Sequence, residues 1–167
     1  MSATDLDAAL GARERILLDS SALIAFHSPH EAAHPLAAHL LRRIEDDGDL
    51  LVVYYSTVTA VELLIRPIRA GLQQFGFMHT FLAQYPHLTG LPLDLTVAVH
   101  AATVRSATGV ALPDAIVIAA GMLAGCEAVV SNDREWSKKV APFFRQFQWL
   151  CLSDFLDQAD AGAEPKA

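Results

Sequence analysis

The chain has 167 residues, 53% of them hydrophobic and 19% charged, which fits one compact domain with a sizeable core and excludes a globally disordered chain. A formal net charge of −7 argues against a protein that coats nucleic acid through a broad basic surface, because such binding draws on counterion release by many Lys and Arg. Any action on nucleic acid is therefore expected to be local, through a few placed cations and a metal site.

Residues 1–13 carry mixed charge without an apolar h-region and are expected to be an N-terminal extension that is no signal peptide. Ile16-Leu17-Leu18 reads as a buried strand ending at Asp19, with a helix opening at Ser20-Ser21. Ser28-Pro29 supplies a helix cap and first-turn proline for the next segment, in which Leu36, Leu40, Leu41 and Ile44 share a face and Gly48 closes the helix. Leu50 to Tyr55 is a second strand, and Ser56 to Thr59 cap a helix that carries Glu62 in its first turns. Pro67 is expected to kink or end that helix, and Gly71 separates it from an amphipathic helix over residues 72–86. Leu91-Pro92-Leu93 reads as a short strand before a helix starting near Leu95. After Leu112-Pro113-Asp114 comes a very apolar helix. Ala128 to Val130 forms a strand leading into Ser131-Asn132-Asp133, and a final helix and strand (Trp149 to Leu152) follow.

Strands alternating with helices imply a three-layer α/β/α domain with a central parallel sheet, spanning residues 14–156 and followed by a loose polar tail at 157–167. The longest apolar run, Ala115 to Cys126, is shorter than the roughly 20 residues that a bilayer requires, so a buried helix is expected there and no membrane contact. Cys126 and Cys151 are the only cysteines and lie in apolar surroundings, which points to a reducing, cytoplasmic setting rather than a disulfide scaffold.

The informative residues are four acids. Asp19 and Asp133 each follow a buried strand, and Asp114 and Glu62 each stand near the start of a helix. In an open α/β sheet, ligands bind beyond the carboxyl ends of the strands, so all four can meet at one edge. Each also has a plain structural role open to it: helix cap for Asp114, Asx turn for Asp19, turn or cap for Asp133, dipole partner for Glu62. Jointly, four carboxylates at one edge repel one another unless a cation sits among them. Hard oxygen ligands without His or Cys select Mg²⁺ or Mn²⁺, and such a centre suits phosphodiester hydrolysis.

The segments ILLDSSALIAF, STVTAVELL, GVALPDAIVIAAG and VVSNDREW together resemble the PIN-domain family, and most closely its VapC-type toxins, over roughly residues 14–155. The resemblance rests on Asp19, Glu62, Asp114 and Asp133 occurring in the family's order. It implies a PIN-like fold and a Mg²⁺- or Mn²⁺-dependent endoribonuclease acting on structured RNA such as tRNA or rRNA. It also implies a homodimer and a cognate VapB-type antitoxin in the acidic groove. Asp19, Asp114 and Asp133 would hold the metal most directly, with Glu62 acting through water or on the attacking water. Ser20 and Ser131 match positions that help to hold the metal or its water. A housekeeping RNA-processing nuclease, or a PIN-like binding module with little catalysis, stands as the alternative.

Cations near the acids include Arg66 and Arg69, which share a helix face with Glu62, and Arg134, Lys138 and Lys139 after Asp133. They suit phosphate contact, or are ordinary surface charges. His30-Glu31-Ala32-Ala33-His34 fits the H-E-x-x-H zinc pattern, but Pro35 follows at once and no third ligand is spaced to join it. A haloacid-dehalogenase-type phosphatase would need a second acid two residues after Asp19, where Ser21 stands.

Overall fold

Five short, apolar strand segments make a single parallel sheet in the computed structural model, which describes residues 2–46, 51–145 and 147–156. The strands are β1 (Arg15–Leu18), β2 (Val52–Ser56), β3 (Leu88–Leu91), β4 (Ala128–Ser131) and β5 (Gln148–Cys151). Their order across the sheet is β3-β2-β1-β4-β5. The chain thus builds outward from β1 on one side, then returns to build outward on the other. The expected three-layer α/β/α architecture is present. The expected closure at Gly48, the strand start at Leu50 and the tail at 157–167 lie outside the described residues.

The inner strands are covered on both faces, as crossover helices require, whereas the edge strand β3 leaves Thr89 exposed. Ile16, Leu18, Val53, Tyr55, Ala128 and Val130 face one core, with helices α1 (Ala3–Leu10), α2 (Ser20–His27), α3 (His34–Asp46) and α5 (Leu72–Gln84). Leu17 and Val129 face the opposite core, with α6 (Leu95–Thr108), α7 (Leu112–Leu123) and α8 (Arg134–Val140). Helix α4 (Thr57–Ala70) gives Leu63 to the first core and lays Val58 against the second. Alternate residues of one strand therefore serve different cores, which explains why β1 and β4 are apolar throughout. Gly121 of α7 lets the helix approach β1 closely, since a Cβ there would meet Leu17 Cδ2 at 2.6 Å. Among the described residues no single helix is long and apolar enough to cross a membrane.

Several local expectations change. Residues 28–33 form successive turns, Glu31 N–H to Ser28 O and His34 N–H to Glu31 O, and α3 begins only at His34. A helix running from Pro29 would carry Pro35 in its interior, where it lacks a donor and clashes with the preceding turn, whereas the first turn accepts it. The third strand lies at Leu88–Leu91, ahead of Pro92, which has no N–H for the ladder. Helix α4 continues through Pro67 to Ala70, and Pro67 O accepts from Gly71 N–H. The segment 1–13 contains α1, capped through Ser2 and Asp5, with Leu6 and Leu10 fully buried. A 3-10 turn, Leu152–Phe155, closes the described chain, and its Leu152 and Phe155 join the same core as α1.

Candidate active site

The point where chain order reverses across the sheet lies between β1 and β4, and the carboxyl ends of these two strands are tied by Asp19 N–H donating to Val130 O (3.0 Å). Asp19 is the N-cap of α2. Its Oδ2 accepts from the Ser21 hydroxyl (2.7 Å), the Ser131 hydroxyl (3.1 Å) and the Ser21 N–H (3.4 Å). Asp133 follows β4 by two residues, and its Oδ1 accepts from the Glu135 and Trp136 N–H groups at 2.9 and 3.2 Å, opening α8. The turn and cap roles open to these two acids in the sequence are both filled, each by one oxygen. A second oxygen on each has no hydrogen bond among the described residues.

Asp114 is the third residue of α7; the N-cap is Ala111, whose side chain offers no cap. Its carboxyl is pushed up from 3.8 to about 6, first by burial and then by the charges of Asp19, Glu62 and Asp133, against a hydrogen bond from the Ala111 backbone. The other three sequence-selected acids thus all act on Asp114 electrostatically. Among the described residues no group of three or more His, Cys, Asp or Glu side chains is placed to hold a metal ion.

The chemistry of these side chains suits a particular ion. Mg²⁺ keeps several waters and takes one or two protein carboxylates rather than a complete protein shell. Carboxylate and hydroxyl oxygens are the only polar side-chain groups on Asp19, Asp114, Asp133, Ser21 and Ser131, and such hard donors favour Mg²⁺ or Mn²⁺ over zinc. The donor set fits the divalent cation expected from the sequence.

Ser131 is buried, donating to Asp19 while accepting from the Asp133 N–H (3.0 Å). Ser20 makes no side-chain hydrogen bond among the described residues; Ser21, not singled out in the sequence, is the neighbour whose hydroxyl donates to Asp19. Capping geometry could have revealed it: an N-cap carboxylate takes the N–H of the second helical residue, so that residue's side chain lies beside it. Here the second helical residue is Ser21.

Arg66 and Arg69 are exposed on α4 and form no ion pair or hydrogen bond among the described residues. Arg66 and Glu62 line a cavity of about 370 Å³ whose floor includes Ile24, Leu63, Pro67 and Met78. Arg134 is drawn toward the C-terminal turn, with its guanidinium on Asp154 Oδ1 (2.9 Å) and Ser153 O (2.8 Å). Lys138 pairs with Glu135 at 2.8 Å. The zinc-like histidines do not share a helical face: His30 stands in a turn, while His34 begins α3 and engages Ala25 O through Nδ1 at 3.0 Å.

The sequence matches the PIN domain family over residues 16–141. No curated protein sequence matches the chain. Among solved structures, FitAcB from Neisseria gonorrhoeae is similar at 23% identity and a TM-score of 0.59, covering 83% of this chain and 98% of that one. The DNA-bound VapBC complex from Salmonella typhimurium is similar at 17% identity and a TM-score of 0.58, covering 83% and 99%. VapC20 from Mycobacterium tuberculosis, described as a toxin that cleaves the sarcin-ricin loop, is similar at 17% identity and a TM-score of 0.55, covering 74% and 93%.

Proposed function

The chain belongs to the PIN domain family, and from that premise we propose that it is a Mg²⁺- or Mn²⁺-dependent endoribonuclease that hydrolyses phosphodiester bonds in structured RNA, as the toxin of a VapBC-type pair. The observation that carries the reading is that burial and the charges of Asp19, Glu62 and Asp133 together push up the Asp114 carboxyl, with Asp19 at the reversal point of the sheet. Among the described residues no cation pairs with these four carboxylates, and hydrogen bonds offset their repulsion only in part; a bound divalent cation would offset it further.

When bound, the cation supplies Lewis acidity toward a phosphate oxygen and a water acidic enough to attack near neutral pH. Asp19, Asp114 and Asp133 are the residues that would hold it. Asp19 and Asp133 each anchor to the protein through one oxygen and keep the other for the ion. Glu62, exposed on α4, would reach it through water or help to position the attacking water. Ser131 supports Asp19. Arg66 and Arg69 offer charge to the flanking phosphates, offsetting locally an otherwise acidic surface. Arg134, which also holds the C-terminal turn, is a third candidate for phosphate contact.

Two partners follow from the same reading. Several of the solved relatives are toxin–antitoxin or VapBC complexes, which supports a VapB-type antitoxin here. The apolar-floored cavity beside Glu62 offers it a foothold close to the acids. A homodimer is supported by the apolar side chains left exposed on α4 and α6, namely Val61, Ile65, Ile68, Leu95 and Val99. Monomeric proteins rarely expose large contiguous apolar patches.

The test incubates the purified chain with labelled tRNA and rRNA fragments in Mg²⁺, Mn²⁺ or EDTA, beside Asp19→Asn and Asp114→Asn variants. Metal-dependent cleavage by wild type, lost in both folded variants, is expected. Comparing metal affinity in Glu62→Gln and Asp114→Asn separates the water-mediated role from direct ligation. Absence of both cleavage and metal binding in wild type would leave the binding-module alternative in front.

A further inference from the structure

We propose that Ser21, Asn132 and Ser153 form a chain of positioning residues that sets the Asp19 and Asp133 carboxylates for the cation, so that the C-terminal 3-10 turn is a working part of the site. The inference rests on the metal-dependent reading above. It starts from how the hydroxyl protons are spent. Ser21 and Ser131 each have one, and both donate to Asp19 Oδ2, at 2.7 and 3.1 Å. The 3.1 Å approach of the two hydroxyl oxygens to each other is then a close contact between groups aimed at the same acceptor.

Each hydroxyl also accepts a backbone N–H from the turn after β4: Asn132 N–H to Ser21 Oγ at 2.7 Å, and Asp133 N–H to Ser131 Oγ at 3.0 Å. A hydroxyl that accepts while it donates is polarised, which strengthens the bond it gives. The turn 131–133 therefore fixes Asp19 through two hydroxyls while it carries Asp133 itself. A displacement of this turn moves both carboxylates together.

What holds the turn lies outside the region matched to the family, which ends at residue 141. Ser153 Oγ donates to Asn132 Oδ1 at 2.5 Å, and the adjoining Arg134 reaches Ser153 O and Asp154. The Arg134–Asp154 pair is more than half exposed on both sides, so it adds little stability and mainly fixes geometry. The turn is anchored from behind, because Leu152 and Phe155 are buried in the core that α1 completes with Leu6 and Leu10. The bonds run from this packed segment to Asn132, from Asn132 to Ser21, and from Ser21 to Asp19.

Residues that orient metal ligands typically change metal affinity or activity by about 10- to 100-fold when removed. Calorimetric titration with Mn²⁺ of the full chain and of its Ser21→Ala, Ser153→Ala and Ser153→Thr variants tests the proposal, with melting in EDTA as the control for folding. Expected are Mn²⁺ affinity weakened ~10-fold or more in Ser21→Ala and measurably in Ser153→Ala, near wild-type melting in EDTA for Ser153→Ala, and recovery in Ser153→Thr. Wild-type Mn²⁺ affinity in a folded Ser153→Ala protein would overturn the proposal while leaving the nuclease reading intact. A Ser153→Thr protein that binds no better than Ser153→Ala would also count against it. If wild type itself binds no Mn²⁺, the nuclease reading fails and the positioning chain falls with it.

Discussion

Replacing Asp114 by Asn should raise stability in EDTA and lower it in saturating metal, a reversal that a merely structural aspartate would not produce. In the folded chain the Asp114 carboxyl is pushed from 3.8 to about 6 by burial and by three neighbouring carboxylates. At ~1.4 kcal/mol per tenfold change in proton affinity, that rise corresponds to ~3 kcal/mol against the charged form. The side chain is only half-buried, so water screens much of this, and ~1 kcal/mol is the reasonable expectation. For a chain of this length ~1 kcal/mol is about 2–4 °C in Tm. Asn keeps the acceptor facing the Ala111 backbone and removes only the charge. The sign with pH follows from the raised value. Between about 4 and about 6 the folded chain binds a proton that the unfolded chain has released, so stability falls as pH rises through that window. The variant's advantage should therefore be full at pH 7 and absent at pH 4. Divalent metal at 100 times its Kd stabilises wild type by ~2.7 kcal/mol, enough to put wild type above the variant. Melting by differential scanning fluorimetry at pH 4 and 7, with EDTA and with Mn²⁺, reads all four conditions. An Asn variant that is less stable than wild type in EDTA at pH 7, and gains equally from Mn²⁺, would refute the reasoning.

Three further perturbations probe the scaffold around the site. Gly121→Ala places a Cβ 2.6 Å from Leu17 Cδ2, and Leu17 is fully buried, so it cannot swing clear. Helix propensity alone would favour alanine by ~1 kcal/mol, so a net loss of ~1–2 kcal/mol in urea unfolding is expected from overpacking, and a gain would show that α7 can back away from β1. Leu6→Ala should cost ~2–5 kcal/mol, because Leu6 is buried in the core shared with the C-terminal turn; an unchanged unfolding midpoint would mark α1 as dispensable. Ile65→Glu with Ile68→Glu, at exposed positions of α4, should convert a dimer into a monomer by sedimentation velocity without loss of helicity, and a monomeric wild type would remove the homodimer.

Much of the site was legible in the sequence because its chemistry depends on residue type at element boundaries. Buried parallel strands are apolar on both faces, so β1 and β4 stand out, and an acid directly after such a strand falls at the ligand-binding edge of the sheet. Asp19 and Asp133 could be placed for that reason, and Asp114 and Glu62 by their positions near helix starts. The elements that shifted did so where local signals competed. Ser28-Pro29 is a sound helix start by itself, but Pro35 overrules it because a helix cannot carry that proline inside. Leu91-Pro92-Leu93 is apolar enough for a strand, yet pairing with β2 runs from Leu88 to Leu91 and stops before the proline.

The sequence by itself determined the alternating architecture and singled out the four candidate acids, both of which follow from short-range pattern and side-chain chemistry. Tertiary structure alone decided the rest, because each remaining feature joins residues distant along the chain. Burial of α1 depends on a core completed by the C-terminal turn. The raised proton affinity of Asp114 depends first on its burial and then on charges brought to it from the start of α2, from α4 and from the turn after β4. The choice of Ser21 over Ser20 depends on a backbone N–H at Asn132, 111 residues away in sequence. Hydrogen bonds and charge repulsion act over a few ångströms of space, and only the adjacency of β1 and β4 in the folded sheet brings those groups within range.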